Sequence, residues 1–216
     1  MSADSELQKL VLSELAWEPS VTAGHIGVTA KAGVVTLSGH VETYVQKFAA
    51  EKAVRQVKGV KAVAEEIEVR LPSGVSHADD DIAAAAAQRI AWDVALPRDA
   101  IVAKVEKGWV TLTGQVGWHY QQEAATLDVS GLHGVIGVTN NIKLKPRVNV
   151  ANLSGDIMNA MGRSRYFDQE TVHVRADGGK VTLTGSVPSL YDRQLASRTA
   201  WSAAGTTEVE NDLAVA

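Results

Sequence analysis

The residues of this sequence that could hold a metal ion or move a proton are dispersed along the chain. Its histidines stand at positions 25, 40, 77, 119, 133 and 173. No two are spaced as His-x-x-x-His, the pattern that places two ring nitrogens on one helix face for zinc. The acidic run Asp79 to Asp81 precedes an alanine-rich stretch and is typical of a helix start, where carboxylates cap the helix and favour its dipole. We therefore expect no metal site and no cofactor.

The side chains needed for enzymatic chemistry form no recognisable motif either. The chain has no cysteine, which excludes disulfides, thiolate metal sites and cysteine nucleophiles. It contains neither Gly-x-Ser-x-Gly nor His-Glu-x-x-His, and neither of the glycine-rich loops that bind phosphates. The sequence therefore predicts a protein that is not an enzyme.

Trp109 and Trp118 are the strongest candidates for a contact surface. The alternation of apolar residues places Trp109 on the solvent side of a strand, and Trp118 stands at the start of the next helix. With Lys104, Lys143 and Lys145 they are predicted to form an aromatic and basic surface that suits phospholipid headgroups. A contact with a neighbouring module or subunit is an equally good interpretation. The two tryptophans stand at opposite ends of one strand, so they need not form one patch.

Two other tryptophans, Trp17 and Trp92, fall late in predicted helices. They follow the apolar residues Leu15 and Ile90 by two positions. Large aromatic rings contribute most to stability when they are buried. We therefore expect both to pack in a core or between modules.

The elements that must position these residues come from a unit that occurs three times. The segment Gly33-Val-Val-Thr-Leu-Ser-Gly-His-Val41 recurs as residues 108–116 and 179–187, and its copies start 75 and 71 residues apart. The chain is therefore predicted to contain three domains, at residues 1–72, 73–146 and 147–216. Their boundaries fall near residues 72–76 and 145–147.

Each repeat is predicted to fold as helix, strand, strand, helix, strand. Ser5 and the acidic run at 79–81 open helices with an apolar face, and a glycine such as Gly33 turns the chain between the first two strands. Gly39 and its counterparts end the second strand, where a bulge or the packing of the next helix leaves no room for a side chain.

The alternation in the second strand predicts how each sheet is covered. Val35 and Leu37 point one way and their neighbours the other, so one face is buried under two helices and the opposite face is open. The fold class is therefore predicted to be α+β. It consists of three tandem αββαβ modules, each a three-stranded mixed sheet with two helices on one face.

The charge balance argues against one class of partner. The chain has 21 basic and 25 acidic residues, for a net charge of −4, whereas nucleic-acid phosphates require clustered lysine and arginine. No nucleic-acid partner is expected.

The beginning of the chain carries no recognisable targeting segment. Residues 1–10 lack the basic and apolar segments of a signal peptide, which favours a cytoplasmic protein; a chain from which a signal had been removed would be periplasmic. No apolar stretch reaches the ~18 residues that span a bilayer.

With these residues in place, each repeat resembles the BON (bacterial osmotically inducible and nodulation) domain. The hallmark of that family is a Gly-x-Val-Thr-Leu-x-Gly-x-Val strand, then a helix, then a Gly-Val-x-x-Val-x-Asn-x-Leu ending. Asn140 and Asn211 match the asparagine of the ending, whereas the first repeat has Glu65-Glu66 there and the third has Thr206 in place of the first valine. These departures fall in the segment that a shared ligand would be expected to use.

The resemblance implies a non-catalytic module of bacterial envelope and stress proteins that associates with phospholipid or membrane surfaces. We therefore expect a non-enzymatic, stress-related binding protein whose modules contact phospholipid. Because each sheet leaves one face open, the alternative is a soluble homo-oligomeric scaffold whose open faces pack together, around a small ligand or a cation.

Overall fold

The computed structural model describes residues 3–72, 78–146, 152–164 and 171–215. The predicted boundary segments at 73–76 and at residue 147 lie outside these ranges, and so does the histidine at position 77. The chain divides into two compact units, of which one comprises residues 1–116 and 121–143 and the other residues 117–120 and 144–216. The first unit holds nearly all of the first two repeats, and the second unit holds the third.

The helices and strands of the described residues follow the predicted order. The helices are α1 (Ala3–Trp17), α2 (Tyr44–Gln56), α3 (Asp79–Trp92), α4 (His119–Ser130), α5 (Leu153–Gly162) and α6 (Leu190–Trp201). The strands are β1 (Ile26–Lys31), β2 (Val34–Val41), β3 (Ala62–Val69), β4 (Ile101–Glu106), β5 (Trp109–Val116), β6 (Gly137–Leu144), β7 (Val172–Asp177), β8 (Lys180–Val187) and β9 (Glu208–Val215). A short 3-10 helix, Ala23–His25, precedes β1.

Each repeat forms its own three-stranded sheet, with the second strand in the centre. In the first sheet β1 runs antiparallel to β2, and β2 runs parallel to β3. The third sheet repeats this arrangement. A parallel neighbour requires a crossover, and α2 supplies it between β2 and β3. The predicted α+β class, with αββαβ modules and mixed three-stranded sheets, is confirmed.

The buried face of each sheet is the one that the alternation predicts. Val35 and Leu37 in β2 are inaccessible to solvent, as are their counterparts Val110, Leu112, Val181 and Leu183. The buried stripe of α1 consists of Leu7, Val11 and Leu15, and that of α2 consists of Ala50, Ala53 and Val54. Spacings of three and four residues place each stripe on one helix face. Burial of these side chains between the helices and the sheet stabilises each module.

Each second strand has a glycine near its end, because the backbone before the first strand passes too close to leave room for a side chain. Gly39 has a φ of 116°, and an added Cβ would lie 2.1 Å from the carbonyl oxygen of His25. Gly114 and Gly185 also have positive φ, and a Cβ on either would lie 2.0 Å from a carbonyl oxygen. A side chain is therefore excluded by the backbone that precedes the first strand, rather than by the next helix, which was one of the two predicted causes.

The predicted cap residues do not cap their helices. Helix α1 begins at Ala3, so Ser5 lies inside its first turn. Helix α3 begins at Asp79, and its N-cap residue, Ala78, makes no side-chain cap. The acidic run does occupy the first turn of α3, where negative charge favours the helix dipole.

Asp79 instead holds the turn between β4 and β5. Its carboxylate accepts hydrogen bonds from the backbone N–H groups of Lys107, at 2.7 Å, and Gly108, at 2.8 Å. In the first repeat Asp4 accepts one from Ala32 at 2.8 Å. Both turns contain a non-glycine residue with positive φ, 52° at Ala32 and 51° at Lys107. In each repeat the carboxylate stabilises a turn in which a non-glycine residue adopts an unfavourable positive φ.

Replacing Lys107 with glycine is expected to stabilise the second module by about 0.5–1 kcal/mol, because glycine adopts positive φ without a steric cost. The third repeat already has Gly178 at this place, with a φ of 58°. The reverse change, Gly178→Ala, is the matched control and should destabilise the third module. Hydrogen exchange measured by mass spectrometry separates the modules; unchanged protection of β4 and β5 in Lys107→Gly would contradict the prediction.

Candidate functional site

Trp109 lies on the open face of the second sheet, as predicted. Its side chain is 45% exposed, and its indole N–H donates a hydrogen bond to Oγ1 of Thr139 at 2.8 Å. The ring covers Gly137, where an added Cβ would lie 2.4 Å from it. The ring is therefore held across β5 and β6 and offers one side to solvent.

The other predicted contact residues are spread over the same module. Lys104 in β4 lies opposite Thr111, on the face that carries Trp109, and forms an ion pair with Glu106 at 3.0 Å. Lys143 is exposed towards the far end of β6, and Trp118 is half-buried directly before α4. The structure thus brings Trp109 and Lys104 onto one face, while Trp118 lies beyond the opposite end of β5.

Trp17 and Trp92 are not core residues, which corrects their predicted burial. Their side chains are 83% and 80% exposed. Each follows the last buried residue of its helix, Leu15 or Ile90, by two positions. Two residues advance about 200° around a helix, so a side chain at this place points away from the sheet. The spacing of Trp17 and Trp92 from the apolar stripe of their helices could have predicted that both are exposed.

The end of α3 forms the most exposed apolar projection of the second module. We call Trp92 and Val94 the α3 tip; Val94 is fully exposed. Arg89 and Arg98 are exposed beside it, and Asp93 and Asp99 lie in the same segment. Two positive and two negative groups leave the surroundings of the tip without net charge.

Asp93 of this segment forms a carboxylate pair with Asp128 of α4. Burial raises the pKa of Asp128, in α4, and the neighbouring charge of Asp93 raises it further, whereas Arg89 lowers it. One carboxylate oxygen of Asp128, Oδ2, is buried without a hydrogen-bond partner. The folded state therefore disfavours the ionised form of this group.

Asp128→Asn is expected to raise the midpoint of thermal unfolding at pH 7. Because the pKa of Asp128 is raised on folding, the wild-type protein loses stability as the pH increases from the ordinary carboxyl value through the raised one. The amide cannot ionise, so the variant avoids this loss. The gain should vanish at about pH 3, where the carboxyl is protonated in both states. An equal gain at both pH values would show that ionisation is not its cause.

The asparagine of the BON-like ending is a structural group. In the second repeat Asn140 donates from Nδ2 to the carbonyl oxygen of Gln122 and to Oγ1 of Thr126, both at 2.8 Å. Its Oδ1 accepts from the N–H of Ile142 at 3.0 Å. Gln122 in turn donates to the carbonyl of Ile142. We call the pair of residue 122 in the helix and residue 140 in the strand the clamp, because it ties α4 to β6.

The other two repeats build the same clamp from different residues. In the first, Lys47 forms an ion pair with Glu65 at 2.8 Å, and Glu65 accepts from the N–H of Ile67 at 2.6 Å. In the third, Asn211 donates to the carbonyl of Arg193 at 2.8 Å. In the first repeat glutamate thus replaces asparagine at position 65, and lysine replaces glutamine at its helix partner, position 47. The segment is explained by this clamp without a ligand.

The open faces of the first and third sheets differ from that of the second. In the first, the rings of His25 and His40 stack with centroids 4.7 Å apart. In the third, Lys180 pairs with Glu208 at 3.1 Å and Glu210 at 3.2 Å, and these hydrogen bonds raise the pKa of Lys180. Within the described ranges, histidines and carboxylates form no group of three or more that could bind a metal ion. The second face differs from these two in carrying the half-exposed indole ring of Trp109.

In the part of the chain that the structure describes, no helix has the length and apolar character required to cross a bilayer.

Comparison with known proteins identifies the repeats. The BON domain family matches the chain three times, at residues 3–70, 78–146 and 149–216. The chain is 29% identical over 147 residues to the osmotically-inducible protein Y of Escherichia coli (strain K12), an alignment that covers 66% of this chain and 73% of that protein.

Among solved structures, the C-terminal domain of CdsD, the structural protein of the type III secretion system of Chlamydia trachomatis, aligns over 98% of both chains at 16% identity. Its TM-score is 0.27, and a second CdsD structure gives 0.28; scores this low carry no structural argument. The three family matches cover nearly the whole chain, and the chain belongs to the BON domain family.

Proposed function

We propose that this protein is a non-catalytic, osmotic-stress-related binding protein whose second module contacts phospholipid surfaces through the α3 tip. The observation that carries the proposal is the exposure of Trp92 and Val94, an aromatic and an aliphatic side chain, at the end of one helix. Tryptophan favours the interface between water and hydrocarbon, because its ring is apolar while its N–H can bond to headgroups or water. The similarity to a protein named for osmotic induction supports the link with osmotic stress.

The charges around the tip determine what kind of lipid contact it makes. Arg89 and Arg98 can pair with headgroup phosphates, but Asp93 and Asp99 cancel their net charge. Electrostatic attraction to anionic lipid is therefore small, and apolar insertion of the tip provides most of the binding free energy. Binding should consequently persist in high salt, unlike that of a polybasic segment.

Flotation with vesicles of phosphatidylethanolamine and phosphatidylglycerol tests this function. Wild-type protein is expected to float, and the variant with Trp92→Ala and Val94→Ala should lose at least about tenfold in affinity, since burying one such side chain contributes about 1.5–3 kcal/mol. Raising the salt concentration should have little effect. No flotation of the wild-type protein, or equal flotation of the variant, would exclude the α3 tip as the contact.

The open face of the second sheet is the competing contact surface. It is favoured by the half-exposed ring of Trp109, with Lys104 on the same face and Lys143 towards the far end of β6. Trp109→Ala in the same flotation experiment distinguishes the two surfaces. A loss of binding in that variant alone would assign the lipid contact to the open face.

A further inference from the structure

The outer strand of the second sheet, β4, is an uncovered edge. In the described residues β4 has one neighbouring strand, β5. An edge strand presents a row of backbone N–H and C=O groups to which another strand can pair. Val102, in the middle of this edge, is 63% exposed.

The first repeat bonds a helix side chain to the equivalent edge. Gln8 in α1 donates from Nε2 to the carbonyl oxygen of Val28 in β1, at 2.7 Å. Leu12, one turn further along α1, is 43% exposed. In the second repeat, 75 residues on, these positions hold Ala83 and Ala87. Neither alanine has a donor or the length to reach the edge.

A groove lies beside β4, and Ala87 is one of its lining residues. It has a volume of about 720 Å³ and runs between α3 and β4. Its walls include Ala87 and Ala91 from the helix, the α3 tip and the loop that follows it, and Val102 and Ala103 from the strand. The third repeat has the longer Met158 at the position of Ala87. The second module therefore combines an open edge with a neighbouring groove.

The strand carries no net charge that would oppose pairing of two copies of its edge. Its one lysine, Lys104, is already neutralised by Glu106 at 3.0 Å. Pairing of two such strands therefore brings no net charge into the contact. The remaining residues of β4 are Ile101, Val102, Ala103 and Val105.

We propose that β4 pairs antiparallel with β4 of a second copy of this chain, about a twofold axis at Ala103. In this register Ile101 of one copy faces Val105 of the other on the helix side of the sheet. On the open side Val102 faces Lys104, whose aliphatic stem covers it. The contact is self-complementary, as a twofold interface requires. The alanines of α3 allow the two copies of that helix to approach closely above the joined strands.

Light scattering after size-exclusion chromatography tests the proposal on the full chain. Wild-type protein is expected to shift with concentration from 22.9 kDa towards twice that mass. The variant with Ala83→Gln and Ala87→Leu gives the second repeat the residues of the first repeat at these positions, including the glutamine that bonds to the edge. It should remain folded by circular dichroism and show the monomer mass at every concentration.

A cysteine cross-link tests the register. The chain has no cysteine of its own, so Ala103→Cys introduces a single thiol in each copy. Residues opposite each other in an antiparallel pair lie about 5.5 Å apart at Cα, within disulfide range. Oxidation should give a covalent dimer on a non-reducing gel, whereas Val28→Cys, at the equivalent place in the covered edge, should not.

A monomer mass for the wild-type protein at all concentrations would overturn the proposal. So would a dimer that persists in the variant with Ala83→Gln and Ala87→Leu, or equal cross-linking of both cysteine variants. Trp92 and Val94 also line the groove, but the two proposals fail separately, because flotation reports on phospholipid binding and light scattering reports on the mass of the protein without vesicles.

Discussion

Gly114→Ala is expected to unfold the second module. The glycine has a φ of 141°, and the added Cβ would lie 2.0 Å from the carbonyl oxygen of Ala100. That oxygen also accepts a hydrogen bond from the N–H of Gln115 at 3.2 Å, so it cannot retreat without breaking the pairing of the strands. Backbone strain and steric overlap together should cost more than about 3 kcal/mol. A loss of this size is a large fraction of the stability of a small domain.

The matched control is Gly131→Ala in the same module. A Cβ at Gly131 meets no atom within 4 Å, so this variant should retain wild-type stability. Hydrogen exchange by mass spectrometry gives a separate value for each module, which one spectroscopic transition does not. Protection of β4 and β5 in Gly114→Ala equal to that in the control would refute the role assigned to this glycine.

Asn140→Glu alone should destabilise the second module by about 2–3 kcal/mol. The change removes both hydrogen bonds donated by Nδ2 and leaves a carboxylate without a cationic partner. Adding Gln122→Lys should recover most of the loss, because the pair then matches Lys47 and Glu65 of the first repeat. The two substitutions should therefore show a coupling energy of at least about 1 kcal/mol.

A double-mutant cycle in urea, followed by hydrogen exchange, measures this coupling. The single variants Gln122→Lys and Asn140→Glu complete the cycle. Additive effects of the two changes would mean that the helix and strand residues of the clamp act independently. In that case another explanation would be needed for the occurrence of lysine at position 47 together with glutamate at position 65.

Most of the fold is predictable because it depends on local pattern repeated three times. The alternation around Val35 and Leu37 identifies the buried face, and the recurrence of that segment identifies the modules. The position of Trp118 at a helix start also follows from the sequence, since α4 begins at the next residue. These features need only neighbouring residues and the periodicity of strands and helices.

The features that the sequence did not predict depend on residues far apart in the chain. Asp79 bonds to a turn 28 residues away, and no local pattern distinguishes this role from a helix cap. The clamp joins residues 18 positions apart, although comparing the three repeats at both positions could have revealed it. The predicted burial of Trp92 was wrong for another reason. The hydrophobicity of the ring favours burial, but the helical angle between Ile90 and Trp92 places the ring on the exposed side.

Insertion of the α3 tip into lipid is the central claim, and a polarity-sensitive dye on a single cysteine tests it most directly. Val94→Cys places the dye at the tip, and Lys104→Cys places it on the open face of the same module. With vesicles of phosphatidylethanolamine and phosphatidylglycerol, we predict a blue shift and a gain in intensity at position 94 and no change at position 104. A shift at position 104 alone, or at neither position, would contradict the account.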